Sequence, residues 1–243
     1  MPTSTPVITL RPSRVLIILF VCIALLVGLS ILGQYIRFFP NSVDMNGAWG
    51  EFCVDLVMHA FNMDAEANVP TYFNTIILFI PAVLFAAIAV TKFLDKDKFR
   101  VHWAGLATLF LYLSVDEASV LHEKLIKPMR SALDPGGIFY FAWIIPGIAF
   151  ILIVGLMYLR FFLNLETKFK ILFFASILLY FGGVIGGEMV SGYFAESIGQ
   201  KNFTYAVAAS LEESIELIGA SMLIYTLLTY IKQYLPEGIT FRT

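Results

Sequence analysis

Residues 15–33 read VLIILFVCIALLVGLSILG and residues 71–91 read TYFNTIILFIPAVLFAAIAVT, and neither stretch contains a charge. A helix rises about 1.5 Å per residue, so about 20 apolar residues cross a hydrocarbon layer about 30 Å thick. Moving outward from these two, apolar stretches of the same length recur at 103–124, 136–159, 171–194 and 204–231. The expected fold is therefore all-α: a polytopic transmembrane helical bundle of six spans, with residues 1–243 forming a single domain.

Composition agrees. Of 243 residues, 59% are hydrophobic and 14% charged, whereas soluble domains carry roughly 25% charged residues. The formal net charge of −2 offers no basic surface, so nucleic acid is not expected as a partner. Cys22 and Cys53 form neither a disulfide framework nor a thiolate motif. No small-residue cleavage site follows the first apolar run, which reads as a retained helix.

Charge also sets the expected orientation. With the N-terminus in the cytoplasm, the inner segments hold Arg11, Arg14, Lys92, Lys96, Lys98, Arg100, Arg160, Lys168, Lys170, Lys232 and Arg242. Only Arg37, Lys124, Lys127, Arg130 and Lys201 lie outside, so both termini are expected in the cytoplasm of a plasma membrane. In the outer loop, Trp49, Phe52, Cys53, Leu56, Val57, Ala60 and Phe61 form a helical apolar stripe, with Glu51, Asp55 and His59 opposite. This predicts an amphipathic helix over about 46–62 on the outer surface. The polar run Asp64 to Thr71 then reads as a turn into the second span, with Asn68 or Thr71 as its cap.

The third, fifth and sixth spans carry Asp116, Glu117, His122, Glu123, Glu188, Glu212, Glu213 and Glu216. An ionised carboxylate at mid-bilayer costs roughly 2.5–3.5 kcal/mol, so seven uncompensated ones would cost on the order of 20 kcal/mol. Helical spacing puts Tyr112, Asp116, Ser119 and Glu123 on one stripe, and Glu212, Glu213 and Glu216 on one face. Measured from the cytoplasmic ends, Asp116, Glu188 and Glu216 lie about 20, 26 and 23 Å up. Three helices therefore bring acids to one depth, which predicts one shared site. Gly182, Gly183, Gly186 and Gly187 precede Glu188 and would let helices pack closely beside it. The strings Ser114-Val-Asp116-Glu117 and Ser210-Leu-Glu212-Glu213 also form a short internal echo.

Oxygen-rich surroundings with one imidazole suit a divalent metal ion, one or two, with Fe, Mn, Mg or Ca favoured over Zn. Asp116, His122, Glu123, Glu188, Glu212 and Glu216 are the expected ligands, and Glu117 and Glu213 the expected catalytic bases. The site differs from di-iron helical bundles, which carry Glu-x-x-His twice.

The strings Glu66-Ala-Asn68-Val-Pro70-Thr71, Ser114-Val-Asp116-Glu117-Ala, His122-Glu123 and Glu212-Glu213-x-x-Glu216 resemble a group of uncharacterised bacterial polytopic membrane proteins. The resemblance covers most of the chain from the outer loop onward and implies one recurring residue set, without an activity. From the residues themselves the expected function is a metal-dependent membrane enzyme, hydrolase or oxidoreductase, acting on a lipid-borne or small apolar substrate among membrane lipids. A cation or proton transporter, and a non-catalytic subunit of a larger membrane complex, are the alternatives.

Overall fold

A computed structural model describes residues 11–42 and 47–235. The chain is an all-α bundle: α1 (Pro12–Phe38), α2 (Ala48–Ala60), α3 (Val69–Leu94), α4 (Arg100–Ser119), α5 (Ile126–Leu133), α6 (Ile144–Leu163), α7 (Thr167–Phe181), α8 (Glu188–Ile198) and α9 (Phe203–Tyr234). A π-helical turn, Gly182–Gly187, joins α7 and α8 into one rod of 32 residues. Among the described residues, five helical rods are long and apolar enough to cross a membrane: α1, α3, α6, α7–α8 and α9. A sixth is counted if α4 and the helical stretch after it, bent by 69°, form one broken span.

That bend corrects the expected third span. The helix stops at Ser119, and Val120 takes a left-handed conformation at φ 53°. Asp116 causes the stop, because its carboxylate accepts the His122 backbone N–H at 2.9 Å and pairs with the His122 imidazole at 2.8 Å. A side chain thus takes a donor that would otherwise continue the helix. Glu123 consequently leaves the Tyr112–Asp116–Ser119 stripe. The fourth span also starts later than 136, at Ile144. The sequence Asp134-Pro135-Gly136-Gly137 forms a turn there, with Asp134 and Gly137 at positive φ, and Glu196 accepts the Gly137 N–H.

The entry into α3 follows its local chemistry. The Asn68 side chain accepts the Thr71 N–H at 3.1 Å and caps the helix, with Pro70 in the first turn where its missing N–H costs nothing. Asn202 caps α9 in the same way through the Tyr205 N–H at 2.9 Å.

Helix α9 is the centre of the bundle. It packs against α1, α3, α7 and α8, while α3 and α4 form an extensive antiparallel pair. The end of the bundle rich in Lys and Arg is filled with rings: Trp103 lies 4.9 Å from both Phe161 and Tyr230, and Phe85 lies 6.4 Å from Phe173. Outward, α1, α6 and α7 present Ile17, Leu25, Leu156, Met157 and Phe174 to the surroundings. A continuous apolar exterior of this kind suits lipid rather than water.

Helix α2 is amphipathic as expected, and none of its residues is buried. It docks on α1 where the Val57 and Met58 backbone crosses Gly33; a Cβ on Gly33 would come within 2.6 Å of the Val57 oxygen. Trp49, 81% exposed, and Phe52 face away from the bundle. Cys22 and Cys53 are free thiols.

Candidate functional site

Toward the end opposite the ring cluster, the bundle encloses a cavity of about 1400 Å³. All eight polar residues singled out in the spans line it: Asp116, Glu117, His122, Glu123, Glu188, Glu212, Glu213 and Glu216. Two more acids, Asp64 and Glu66, reach it from the loop before α3. Reading that loop as a capped turn missed this role; the signal was its two carboxylates just before an Asn-x-Pro cap. The Glu51, Asp55 and His59 stripe of α2 does not line the cavity, and Asp55 and His59 simply pair at 3.0 Å in the open.

Within the cavity the acids fall into local sets. His122 has its Nδ1 2.8 Å from Asp116 Oδ2, while Nε2 has no hydrogen-bond partner among the described residues. The imidazole ring lies 4.7 Å from the Trp143 ring, and Trp143 Nε1–H donates to Glu188 Oε1 at 3.0 Å. Glu188 lies within hydrogen-bonding reach of Glu212, which in turn accepts from the Ser191 hydroxyl. One chain of contacts therefore runs from α4 through α6 and α8 to α9.

The glycines at the π turn explain how α9 brings its acids so close. A Cβ on Gly183 would come within 2.5 Å of Glu216 Cγ, and one on Gly187 within 2.7 Å of Glu212 Cγ. Helical π turns concentrate at functional sites because they re-aim the residues around them; here the turn immediately precedes Glu188.

The loop acids are fixed by a separate network. Gln34 Nε2 donates to Asn62 Oδ1 at 2.5 Å, and the Asn68 amide donates to the Asn62 and Ala65 carbonyls. Tyr205 O–H donates to Asp64 Oδ1 at 3.0 Å. The protein crowded around Asp64 pushes its carboxyl up from 3.8 to about 6; the Tyr205 hydrogen bond opposes this, Glu123 adds to it and Arg37 opposes it. Glu66 is also raised, first by burial, then by the charges of Glu123 and Asp64.

The cavity extends between α4 and α6. Helices α4 and α6 meet at the basic end, where Trp103 and His102 pack against Phe161 and Tyr158 tucks against Gly105. Farther along they face each other across the cavity, with Thr108, Leu109 and Tyr112 on one wall and Pro146, Phe150 and Ile151 on the other. Thr108, Tyr112 and Phe150 are exposed side chains, and apolar groups predominate on both walls.

No group of three His, Cys, Asp or Glu side chains among the described residues stands close enough to hold a metal ion. Asp116 has both carboxylate oxygens engaged by His122, which makes it an orienter of the imidazole. No curated protein and no solved structure matches the chain. One family model matches residues 14–231, nearly the whole chain, and on that extent the chain belongs to the domain of unknown function DUF8692.

Proposed function

We propose that this protein is a membrane-embedded enzyme acting on a lipid-borne substrate, with His122 as its proton-transferring base. One observation carries the reading: an imidazole held by a carboxylate at 2.8 Å, its other nitrogen free, lies in a cavity that extends between the apolar walls of α4 and α6. A carboxylate on Nδ1 fixes the tautomer, leaving Nε2 to accept a proton from water or from a substrate hydroxyl. The cleft between α4 and α6 gives a hydrocarbon chain a path to that nitrogen without leaving the bilayer.

A divalent metal ion remains part of this proposal. It would take His122 Nε2 together with Glu66, Glu123 and Glu188, whose charges already act on that imidazole. Those side chains would have to turn inward to reach it, and Asp116 would then stand behind the ligand histidine, as carboxylates commonly do. The metal would supply Lewis acidity. The filled ring cluster at the basic end favours chemistry over passage, since transport needs a polar route through both halves of the bundle. In this reading the basic end faces the cytoplasm and the cavity lies toward the outer face of a plasma membrane.

The test uses the full chain in lipid nanodiscs, incubated with a bacterial total-lipid extract whose components are followed by mass spectrometry, alongside metal analysis of the purified protein. One lipid class is expected to be consumed, and His122→Asn and Asp116→Asn should slow this at least a hundredfold with the helical spectrum unchanged. Stoichiometric metal lost in His122→Asn would support the metal component. Consumption that His122→Asn leaves at the wild-type rate would overturn the base assignment.

A further inference from the structure

Two basic side chains lie on the wall of the acidic cavity and neither is paired with an acid. Arg37, in the last turn of α1, and Lys201, in the loop before α9, line the cavity and are exposed. Among the described residues, neither donates a hydrogen bond or forms an ion pair. The Arg37 guanidinium lies 5.9 Å from the centroid of the Phe38 ring. Its charge acts on Asp64, whose carboxylate accepts from the Tyr205 hydroxyl instead.

Ring packing holds the two basic segments together. Phe203, two residues after Lys201, packs edge-on against Tyr35, Phe38 and Phe39, with ring centroids 6.0, 6.5 and 5.7 Å away. Those three rings flank Arg37. The loop itself is closed by Asn202, whose amide donates to the Ile198 carbonyl at 3.3 Å and to the Gly199 carbonyl. Most of the acids lie deeper. Along α9 from its start at Phe203, Glu212 stands about 14 Å away and Glu216 about 20 Å. The cavity is therefore divided into a basic rim and an acidic interior, with Asp64 the one acid on which Arg37 acts.

The rim offers donors from two elements: five N–H on the guanidinium and three on the ammonium. The fork of an arginine takes two oxygens of a planar or tetrahedral anion at once. A carboxylate held in that way presents no third oxygen to Lys201, whereas a phosphate does. We infer that Arg37 and Lys201 hold the phosphate of a phosphate-bearing lipid at the cavity rim, its hydrocarbon continuing between the walls of α4 and α6. The inference rests on the lipid-borne reading above and adds the chemical class of the head. The acids deeper in the cavity repel the phosphate and keep it at the rim.

Native mass spectrometry of the detergent-purified full chain at neutral pH tests this, with dodecyl phosphate, dodecanol and inorganic phosphate as probes. Dodecyl phosphate should be retained one-to-one at roughly tenfold lower concentration than dodecanol, and a matching concentration of inorganic phosphate should not displace it. Arg37→Gln with Lys201→Gln should remove the preference for the phosphate while leaving dodecanol retention unchanged. Arg37→Lys with Lys201→Arg, which keeps both charges, should retain it. Equal retention of dodecanol and dodecyl phosphate would overturn the phosphate assignment while leaving a lipid-binding cavity standing. Retention of neither would overturn both readings. Displacement of dodecyl phosphate by inorganic phosphate at equal concentration would overturn the lipid as its source and leave a site for free phosphate.

Discussion

Gly183 on the π turn lies directly against Glu216 on α9: a Cβ at position 183 would come 2.5 Å from the Glu216 Cγ and 2.9 Å from its backbone nitrogen. The second of these contacts is with backbone and cannot be relieved by rotating a side chain. Gly183→Ala should therefore push α9 away and destabilise the bundle by about 1–3 kcal/mol, the usual cost of overpacking. At Gly186, three residues along the same turn, an added Cβ would meet nothing within 4 Å. Gly186→Ala should be neutral within about 0.5 kcal/mol. Thermal unfolding of the two variants in the same detergent checks the contrast, and equal melting temperatures would contradict it.

The break after Ser119 depends on Asp116, and two substitutions separate its parts. Asp116→Asn keeps an oxygen to accept the His122 backbone N–H but loses the charge that pairs with the imidazole. Asp116→Leu loses both. The leucine variant should be destabilised by about 2–3 kcal/mol, as expected when hydrogen bonds to a charged group are lost and their donors left buried. The asparagine variant should lose less than half of that. Unfolding in a denaturant series gives both values, and equal losses would show that the carboxylate does not hold the turn.

The spans at 15–33 and 71–91 were legible because uncharged length dictates them, and 204–231 because its apolar length persists around three glutamates; α1, α3 and α9 extend each by a few residues at either end. The gathering of acids was legible because helical spacing and rise fix both face and depth: Asp116, Glu188 and Glu216 do line one cavity. The stop at Ser119 was not. It comes from a side chain folding back on a backbone N–H six residues later, and the apolar and polar periodicity carries no mark of that. Asp64 and Glu66 were missed for a related reason: a loop's path over the bundle is set by its own network, here Asn62, Asn68 and Gln34, and not by any period.

Val120 is a β-branched residue in the left-handed region, at φ 53° and ψ 44°, where the Cβ crowds the following carbonyl at a cost of roughly 1–2 kcal/mol. Such strain persists where neighbouring contacts enforce it and is concentrated at functional sites. Val120→Gly removes the crowding but adds freedom to the unfolded chain. The net expected effect is a gain of about 0.5–1 kcal/mol, read as a rise in melting temperature. A fall would mean that the Val120 side chain contributes packing worth more than the strain.

Asp64 gives the stability of the protein a definite dependence on pH. Its carboxyl titrates at about 6 in the folded chain, against 3.8 ordinarily, so folding favours the protonated form. The sign follows from linkage: a group whose pKa is raised on folding contributes stability that is fully present below 3.8 and is lost as pH rises through about 6. Between about pH 4 and 7 the wild type should therefore become less stable. Glu66, raised for the same main reason, adds to the slope. Asp64→Asn leaves an oxygen to accept from the Tyr205 hydroxyl, which donates at 3.0 Å, and removes the titrating proton. The variant should match the wild type near about pH 4, exceed it near about pH 7.5 and show a shallower fall between. Melting temperatures measured across that range decide the matter: parallel curves for the two proteins would show that Asp64 does not carry the titration.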